Sequence, residues 1–182
     1  MRKGGVRMNY QAHRIGGVCT ATVVSTLAYQ STIGEVGTYV AIGLAMIGGS
    51  VGGLLPDIDH PTSRVGKRLS SISKIINTLF GHRGFTHSIL AVLLFAYSLF
   101  ILTSIIPEVF IGFYLPFALG LIVGYASHLL LDMMTVSGIP LLYPFSKQSF
   151  RIAKFRTGQD DLLVSILLIV STGLYLYFFL GV

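Results

Sequence analysis

The chain has 182 residues, of which 53% are hydrophobic and only 11% are charged, and its formal net charge is +6. Roughly 25% of the residues of a soluble domain are charged. This chain has too few charged residues to form the surface of a soluble protein. Its apolar residues lie in runs of about 20, the length of a helix that crosses a bilayer. The sequence therefore predicts one integral membrane domain over residues 1–182. The single cysteine, Cys19, excludes an internal disulfide framework and a cysteine-based zinc site.

Five apolar runs predict five transmembrane helices, at about residues 15–30, 36–55, 86–106, 111–134 and 162–182. The first run is the shortest, and it spans only if its helix begins near Ala12. The second is rich in glycine, which lets helix backbones approach closely in lipid, so we expect it near the centre of the bundle. Pro56 should end this second helix, and Pro116 can kink the fourth.

The pattern of two other segments does not predict transmembrane helices. In residues 64–80, Val65, Leu69, Ile72, Ile76 and Leu79 recur at helical spacing, with basic residues between them. This pattern predicts an amphipathic helix that lies in the membrane interface or packs on the protein's own surface. Residues 135–161 hold two prolines in an apolar stretch, which favours a re-entrant or interfacial loop. The expected fold class is thus all-α and polytopic, with about five transmembrane helices, one interfacial helix and this proline-containing loop.

The basic residues support five spans, because all 13 of them then fall in loops on one side of the membrane. The opposite loops carry only Glu35 and Glu108. Basic loops stay in the cytoplasm, so we expect the N-terminus inside and the C-terminus outside. Removing any one span would scatter these charges over both sides. Basic residues beside spans usually meet anionic headgroups, so membrane lipids are the expected partners, and nucleic acid is not.

This topology places histidines and aspartates from four parts of the chain at the same membrane face. His128 and Asp132 are four residues apart, on one face of the fourth helix. Polar groups at such depth usually face a cavity and mark function. Each piece also has a simpler explanation: a helix–helix hydrogen bond for this pair, a capped turn for residues 57–60, and a helix cap for residues 82–88. Together they predict a metal site, with ligands drawn from His13, Asp57, Asp59, His82, His87, His128 and Asp132.

Nitrogen and carboxylate donors without thiolate suit a divalent metal, with zinc favoured and manganese or iron as alternatives. The donor set is large enough for one or two ions, and two ions about 4 Å apart can clamp a phosphoester and its attacking water. Asp59 or His60 would then remain as general acid or base. Arg83 would either bind a phosphate through its forked donors or meet lipid headgroups.

Three motifs resemble the YdjM family: residues 55–61 (LPDIDHP), 81–88 (GHRGFTHS) and 124–132 (GYASHLLLD). Residues 138–144 and His13 also match, so that the likeness covers about residues 10–156. The family comprises LexA-regulated bacterial inner-membrane proteins, with a domain of unassigned function, that are described as candidate metal-dependent hydrolases. The resemblance implies a membrane hydrolase in the bacterial inner membrane and leaves its substrate open.

The expected function is therefore a membrane-embedded, metal-dependent hydrolase acting on a phosphoester in a lipid or lipid-linked substrate at the cytoplasmic face. A peptide substrate is less favoured, because the chain has no His-Glu-x-x-His motif. The alternative is a non-catalytic protein, either a metal-stabilised membrane scaffold or a metal transporter. A transporter would need polar residues that continue to the far side, whereas these stop near one face.

Overall fold

The computed structural model describes residues 10–33, 35–80, 84–156 and 158–180. Within these ranges the fold is all-helical, as predicted, and the only β pairing consists of isolated bridges. Short 3-10 turns occupy Gln30–Thr32, Pro56–Asp59 and Phe85–His87. The α-helices are α1 Tyr10–Ala28, α2 Val36–Gly52, α3 Arg64–Arg68, α4 Ser70–Phe80, α5 Ile89–Leu102, α6 Glu108–Met133 and α7 Asp161–Leu180.

Among the described residues, three helices are long and apolar enough to cross a membrane, so the predicted count of five is not met. They are Val36–Asp59, which is α2 with the turn that follows it, Glu108–Met133 and Asp161–Phe179. α5 has only 14 residues, about 21 Å by helix rise and short of a hydrocarbon core roughly 30 Å thick. α1 is long enough, but its first turns carry Gln11, His13 and Arg14, which lower its mean hydropathy.

Glycine backbones form the contact between α1, α2 and α6, and the contact of α2 with α6 is the most extensive in the described fold. A side chain at Gly49 in α2 would overlap the carbonyl oxygen of Gly17 in α1, and one at Gly124 in α6 would overlap that of Gly49. Such close approach suits helices packed in lipid, and it agrees with the predicted central place of α2. The start of α1 and the end of α6 both lie beside the end of α2. Hence α1 runs antiparallel to α2, and α6 runs parallel to it.

α5 and α7 both run opposite to α6. Tyr114, near the start of α6, donates a 2.6 Å hydrogen bond to the carbonyl of Leu99 near the end of α5. Tyr125, near the end of α6, stacks on Phe95 with ring centroids 5.4 Å apart. The first turns of α7 pack against the last turns of α6. One end of the bundle therefore collects the start of α1, the end of α2, the start of α5, the end of α6 and the start of α7.

The amphipathic segment forms two helices, α3 and α4, which meet at Leu69, rather than the single helix predicted over residues 64–80. One face of α4 packs on the turn Pro56–Asp59, where the Asn77 amide donates a 2.8 Å hydrogen bond to the carbonyl of Asp59. The opposite face leaves its large apolar side chains exposed: Ile72, Ile75 and Leu79. This favours the membrane interface as the partner of that face.

The proline-containing loop between α6 and α7 is anchored beneath the start of α5. Ile139 is fully buried and forms an isolated bridge with Phe150. Gly138 has φ +61°, and a side chain there would overlap the carbonyl oxygen of Phe150. The backbone N–H of Ile89 donates a 2.9 Å hydrogen bond to the carbonyl of Leu141, which fixes the start of α5. The re-entrant or interfacial position of this loop stays a prediction.

Candidate metal centre

Four segments bring histidine and aspartate side chains to the same end of the bundle. Each lies at a helix end or in the turn next to one, so the local fold carries the side chain to this end. His13 lies in the first turns of α1, Asp57 and Asp59 in the turn after α2, His87 in the turn before α5, and His128 and Asp132 in the last two turns of α6.

Donor atoms of five of these residues form two overlapping groups, within each of which the atoms lie within 4.8 Å of one another. One group is His13, His128 and Asp132, and the other is Asp57, His87 and His128. Asp57 is half-buried, and the other four are at most 2% exposed. Because His128 belongs to both groups, we treat the five residues as one unit, the His/Asp cluster.

Asp132 lies at the centre of the cluster. Its Oδ1 is 3.5 Å from Nε2 of His13. Its Oδ2 is 3.4 Å from Nε2 of His87 and 3.7 Å from Nε2 of His128. The rings of His13 and His128 are stacked, with centroids 3.7 Å apart. Three imidazole Nε2 atoms therefore converge on a single buried carboxylate.

The backbone at the end of α2 orients the ring of His128. Nδ1 of His128 lies 2.8 Å from the carbonyl oxygen of Gly53. A carbonyl can only accept, so Nδ1 carries the proton and the lone pair is on Nε2. That Nε2 is buried and makes no hydrogen bond to any residue in the described ranges. A buried acceptor without a donor is costly, whereas a histidine whose other nitrogen donates to a carbonyl is arranged as metal-binding histidines are. The ring therefore fits a metal ligand.

Asp59 supports His87 from the side away from Asp132. Its Oδ2 is 3.4 Å from Nδ1 of His87 and accepts a 2.7 Å hydrogen bond from the Thr86 hydroxyl. The hydroxyl of Tyr125 donates a 2.7 Å hydrogen bond to the carbonyl of Thr86, which fixes this turn. A carboxylate behind a histidine in this way sets the tautomer and raises the basicity of the ring nitrogen that faces a metal.

The electrostatics of the site favour a positive charge among the carboxylates. His87 lies outside α5, in the turn that precedes it. Burial lowers the pKa of His87, but the hydrogen bond with Asp59 and the charges of Asp132, Asp59 and Asp57 outweigh burial and raise this pKa above its ordinary value. A proton on His87 or a metal ion in the cluster would supply that positive charge.

Four predicted site residues are not part of the described cluster: Asp59, which lies beside the His87 ring, and His60, His82 and Arg83. His60 is half-buried, and its Nδ1 accepts a 3.0 Å hydrogen bond from the backbone N–H of Thr62, a contact of the kind that the capped-turn explanation requires. Its catalytic role stays a prediction. His82 and Arg83 lie outside the described residues, and their roles stay predictions.

Sequence reasoning missed three groups that support the ligands: Gly53, Thr86 and Tyr125. Tyr125 had a usable signal, because it is a hydroxyl-bearing residue in an apolar helix, three residues before His128. Thr86 directly precedes His87, which is a weaker signal. Gly53 contributes a backbone carbonyl, and no residue pattern reports that.

We expect Asp59→Asn to weaken metal binding roughly 10- to 100-fold, the usual cost of losing a group that orients a metal-binding histidine. The amide keeps the shape of the side chain and removes the charge that fixes the His87 tautomer. Competition with a chelating dye measures the affinity of the purified protein. Glu108→Gln, the same chemical change at the exposed start of α6, is the control. Equal affinity of the Asp59→Asn and Glu108→Gln variants would show that Asp59 does not support the site.

The fold and the site together define the class: an all-helical membrane protein with a buried His/Asp cluster that could hold a metal ion. A sequence model described as "YdjM inner membrane protein" matches residues 8–181. The chain belongs to this family, as its motifs predicted. Family membership and the apolar helices together support a location in the inner membrane.

Curated relatives agree with this assignment. The chain is 52% identical over 93 residues to "Inner membrane protein YdjM" of Escherichia coli (strain K12). The same figures hold for the protein of that name from Shigella flexneri. These matches cover 50% of this chain and 44% of each relative, so they span less than half of the relatives' length. The chain is also 38% identical over 137 residues to "Uncharacterized protein YvsG" of Bacillus subtilis (strain 168), covering 75% of this chain and 74% of that protein. No solved structure matches.

Proposed function

We propose that this protein is a membrane-embedded, metal-dependent hydrolase that cleaves a phosphoester in a lipid or lipid-linked substrate. The observation that carries the proposal is the convergence of three imidazole Nε2 atoms on Asp132, in a site where Gly53 and Asp59 hold two of the rings in place. Buried groups arranged with this much support fit a site that does chemistry better than isolated core histidines.

The five cluster residues would hold one or two divalent ions: His13, Asp57, His87, His128 and Asp132. Their nitrogen and carboxylate donors suit zinc, with manganese or iron as alternatives. When bound, such an ion would polarise the phosphoester and lower the pKa of a water to about 7.

The other residues have distinct roles in this proposal. Asp57 is the half-buried member of the cluster, so substrate would enter on its side. Asp59 would be a positioning residue that orients His87, in place of the roles predicted for it as a ligand or as general acid or base. His60 would transfer a proton to the leaving group: its Nδ1 accepts from the Thr62 N–H, so the neutral ring carries its proton on Nε2.

We further propose that α1 and α5 also cross the membrane, which restores five passes. α2 and α6 run parallel, so a chain that crosses with both must return between them. α5 follows α2 and precedes α6 in the chain, and it runs opposite to α6. The cluster end would then face the cytoplasm, with the N-terminus inside and the C-terminus outside. This orientation rests on the placement of the basic residues in the sequence.

A metal-stabilised scaffold without catalysis is the second candidate. It is favoured by the burial of four cluster residues to 2% exposure or less, since a structural metal site is closed. A transporter is less favoured. The buried hydroxyls deeper in α1 bond to carbonyls of their own helix and do not continue the polar cluster: Thr22, Ser25 and Thr26.

We expect the purified protein to release product from at least one member of a phosphoester panel, and a chelator to stop the release. Suitable probes are bis-(p-nitrophenyl) phosphate, phosphatidylglycerol and a polyprenyl phosphate. His60→Ala should keep its metal and lower kcat about 100-fold or more, the contribution of a general acid. Metal content and turnover are measured on the same samples. Full metal content with no turnover on any probe would favour the scaffold.

A further inference from the structure

A groove of about 560 Å³ lies beside the His/Asp cluster, and none of the residues that line it belongs to the cluster. The groove is bounded by the start of α1, the end of α2 and α3. Three arginines line it, and no acidic residue does: Arg14, Arg64 and Arg68. We call it the arginine groove. The rest of its lining is mainly apolar and includes Val51, Leu54, Leu55, Val65 and Leu69.

Two of the three arginines are held in place before any ligand arrives. Nε of Arg14 donates a 2.9 Å hydrogen bond to the hydroxyl of Ser50. The guanidinium carbon of Arg64 lies 3.9 Å from the ring centroid of Tyr10. Both contacts leave terminal guanidinium N–H groups available. None of the three arginines forms an ion pair with an acidic residue in the described part of the chain.

The groove and the cluster share a wall. Arg14 follows His13, so that one residue lines the groove while its neighbour belongs to the cluster. On α2, Leu54 and Leu55 line the groove directly after Gly53, whose carbonyl binds His128. A ligand bound in the groove would therefore lie next to the cluster.

We infer that the arginine groove binds an anionic phospholipid. Its phosphate would take charge-assisted hydrogen bonds from the guanidinium groups, and an acyl chain would lie along the apolar side of the groove. A soluble anion would contact the arginines but not the apolar side chains of the groove. Val51 is exposed on the flank of a helix apolar enough to span, and the nearby α4 presents an exposed apolar face. Both features place the groove at headgroup depth.

This inference deepens the proposed function, on which its claim about substrate rests, because it names the lipid class presented to the cluster. The binding itself does not depend on hydrolysis. Measuring lipid binding and turnover on the same protein can therefore contradict the groove proposal and the proposed function independently.

Native mass spectrometry of the full-length, metal-loaded protein with phosphatidylglycerol and phosphatidylcholine tests the site. Wild type should prefer phosphatidylglycerol. Combining Arg14→Gln, Arg64→Gln and Arg68→Gln should reduce that preference about tenfold or more, since three charge-assisted contacts are lost. The matched control combines Lys147→Gln, Lys154→Gln and Arg156→Gln, which removes the same charge from the loop before α7. This control should keep most of the preference.

Equal loss in the groove variant and the control would overturn the site, because general surface charge would then explain binding. Inorganic phosphate that displaces phosphatidylglycerol at similar concentrations would overturn the lipid as occupant. Equal metal content in both variants checks that they are folded. Phosphatidylglycerol bound in the groove without hydrolysis of any probe would contradict the proposed function alone. Hydrolysis with no lipid preference would contradict the groove alone.

Discussion

Replacing His128 by alanine is expected to remove bound metal from the purified protein. His128 belongs to both donor groups, so its loss affects every arrangement of ligands the cluster allows. The decrease in affinity should exceed the roughly 10- to 100-fold that follows the loss of a group which only orients a ligand. The change also removes the donor to the Gly53 carbonyl, and a lower thermal stability should accompany the loss of metal.

Elemental analysis of detergent-purified wild type, His128→Ala and the double variant with His87→Ala measures the metal-to-protein ratio. His60→Ala is the matched control, since it removes an imidazole from a neighbouring turn but not from the cluster. We expect it to keep a wild-type ratio. His13→Asn, which retains a polar side chain at the edge of the cluster, separates loss of a ligand from loss of fold. The same ratio in all of these proteins would place the metal elsewhere.

Gly49→Ala is expected to destabilise the fold, whereas a methyl group added at Gly43 in the same helix should not. The added methyl would overlap the carbonyl oxygen of Gly17, so α1 and α2 would have to separate. Overpacking typically costs about 1–3 kcal/mol, and a backbone atom has less freedom to move away than a side chain. Because α1 carries His13, the separation should also weaken metal binding.

Gly43→Ala is the control for this change, because it lies in the same helix and a methyl there would meet nothing within 4 Å. Alanine is a better helix former than glycine by about 1 kcal/mol. The Gly43→Ala variant should therefore have a melting temperature equal to or above that of wild type. Thermal unfolding in detergent, followed by circular dichroism, compares the two. A shift of about 5 °C between them is expected from the size of the cost. Equal melting temperatures would contradict the close backbone contact between α1 and α2.

The cluster could be predicted because its residues follow simple local rules. His128 and Asp132 are four residues apart on a helix, and this spacing alone places them on one face. Asp57 follows a glycine-rich helix, and His87 precedes an apolar run, so both had to lie at helix ends. Alternating helix direction then brings these ends together, as the structure does. His13 joined the prediction only through topology and the family resemblance.

Side-chain roles within the cluster could not be predicted, because they depend on distances across the fold. Asp57 and Asp59 flank a single residue and look equivalent in sequence. In the structure one joins a donor group, and the other lies behind the His87 ring. His60 adjoins the same motif, yet its Nδ1 caps a local turn with Thr62. Asp57 and Asp59 are only two residues apart in the 3-10 turn, and this separation is enough to give their carboxylates different contacts.

The five predicted spans are more than the three described helices that length and composition alone mark as able to cross a membrane. The apolar run at residues 86–106 predicts one helix, but the 3-10 turn at Phe85–His87 and the end of α5 at Leu102 reduce the helix to 14 residues. Hydropathy averaged over a window does not report such short turns, because the apolar residues around Thr86, His87 and Thr103 outweigh them. The arginine groove was missed for a related reason. Arg14 and Arg64 are 50 residues apart, and only the packing of α1, α2 and α3 brings them together.

The central claim is that the His/Asp cluster holds a divalent metal ion. Anomalous diffraction at the zinc edge, from crystals of the zinc-loaded protein, tests it most directly. We expect an anomalous peak within bonding distance, about 2.0–2.2 Å, of His128 Nε2 and an oxygen of Asp132. An empty cluster in crystals whose zinc gives its anomalous peak elsewhere would contradict the claim.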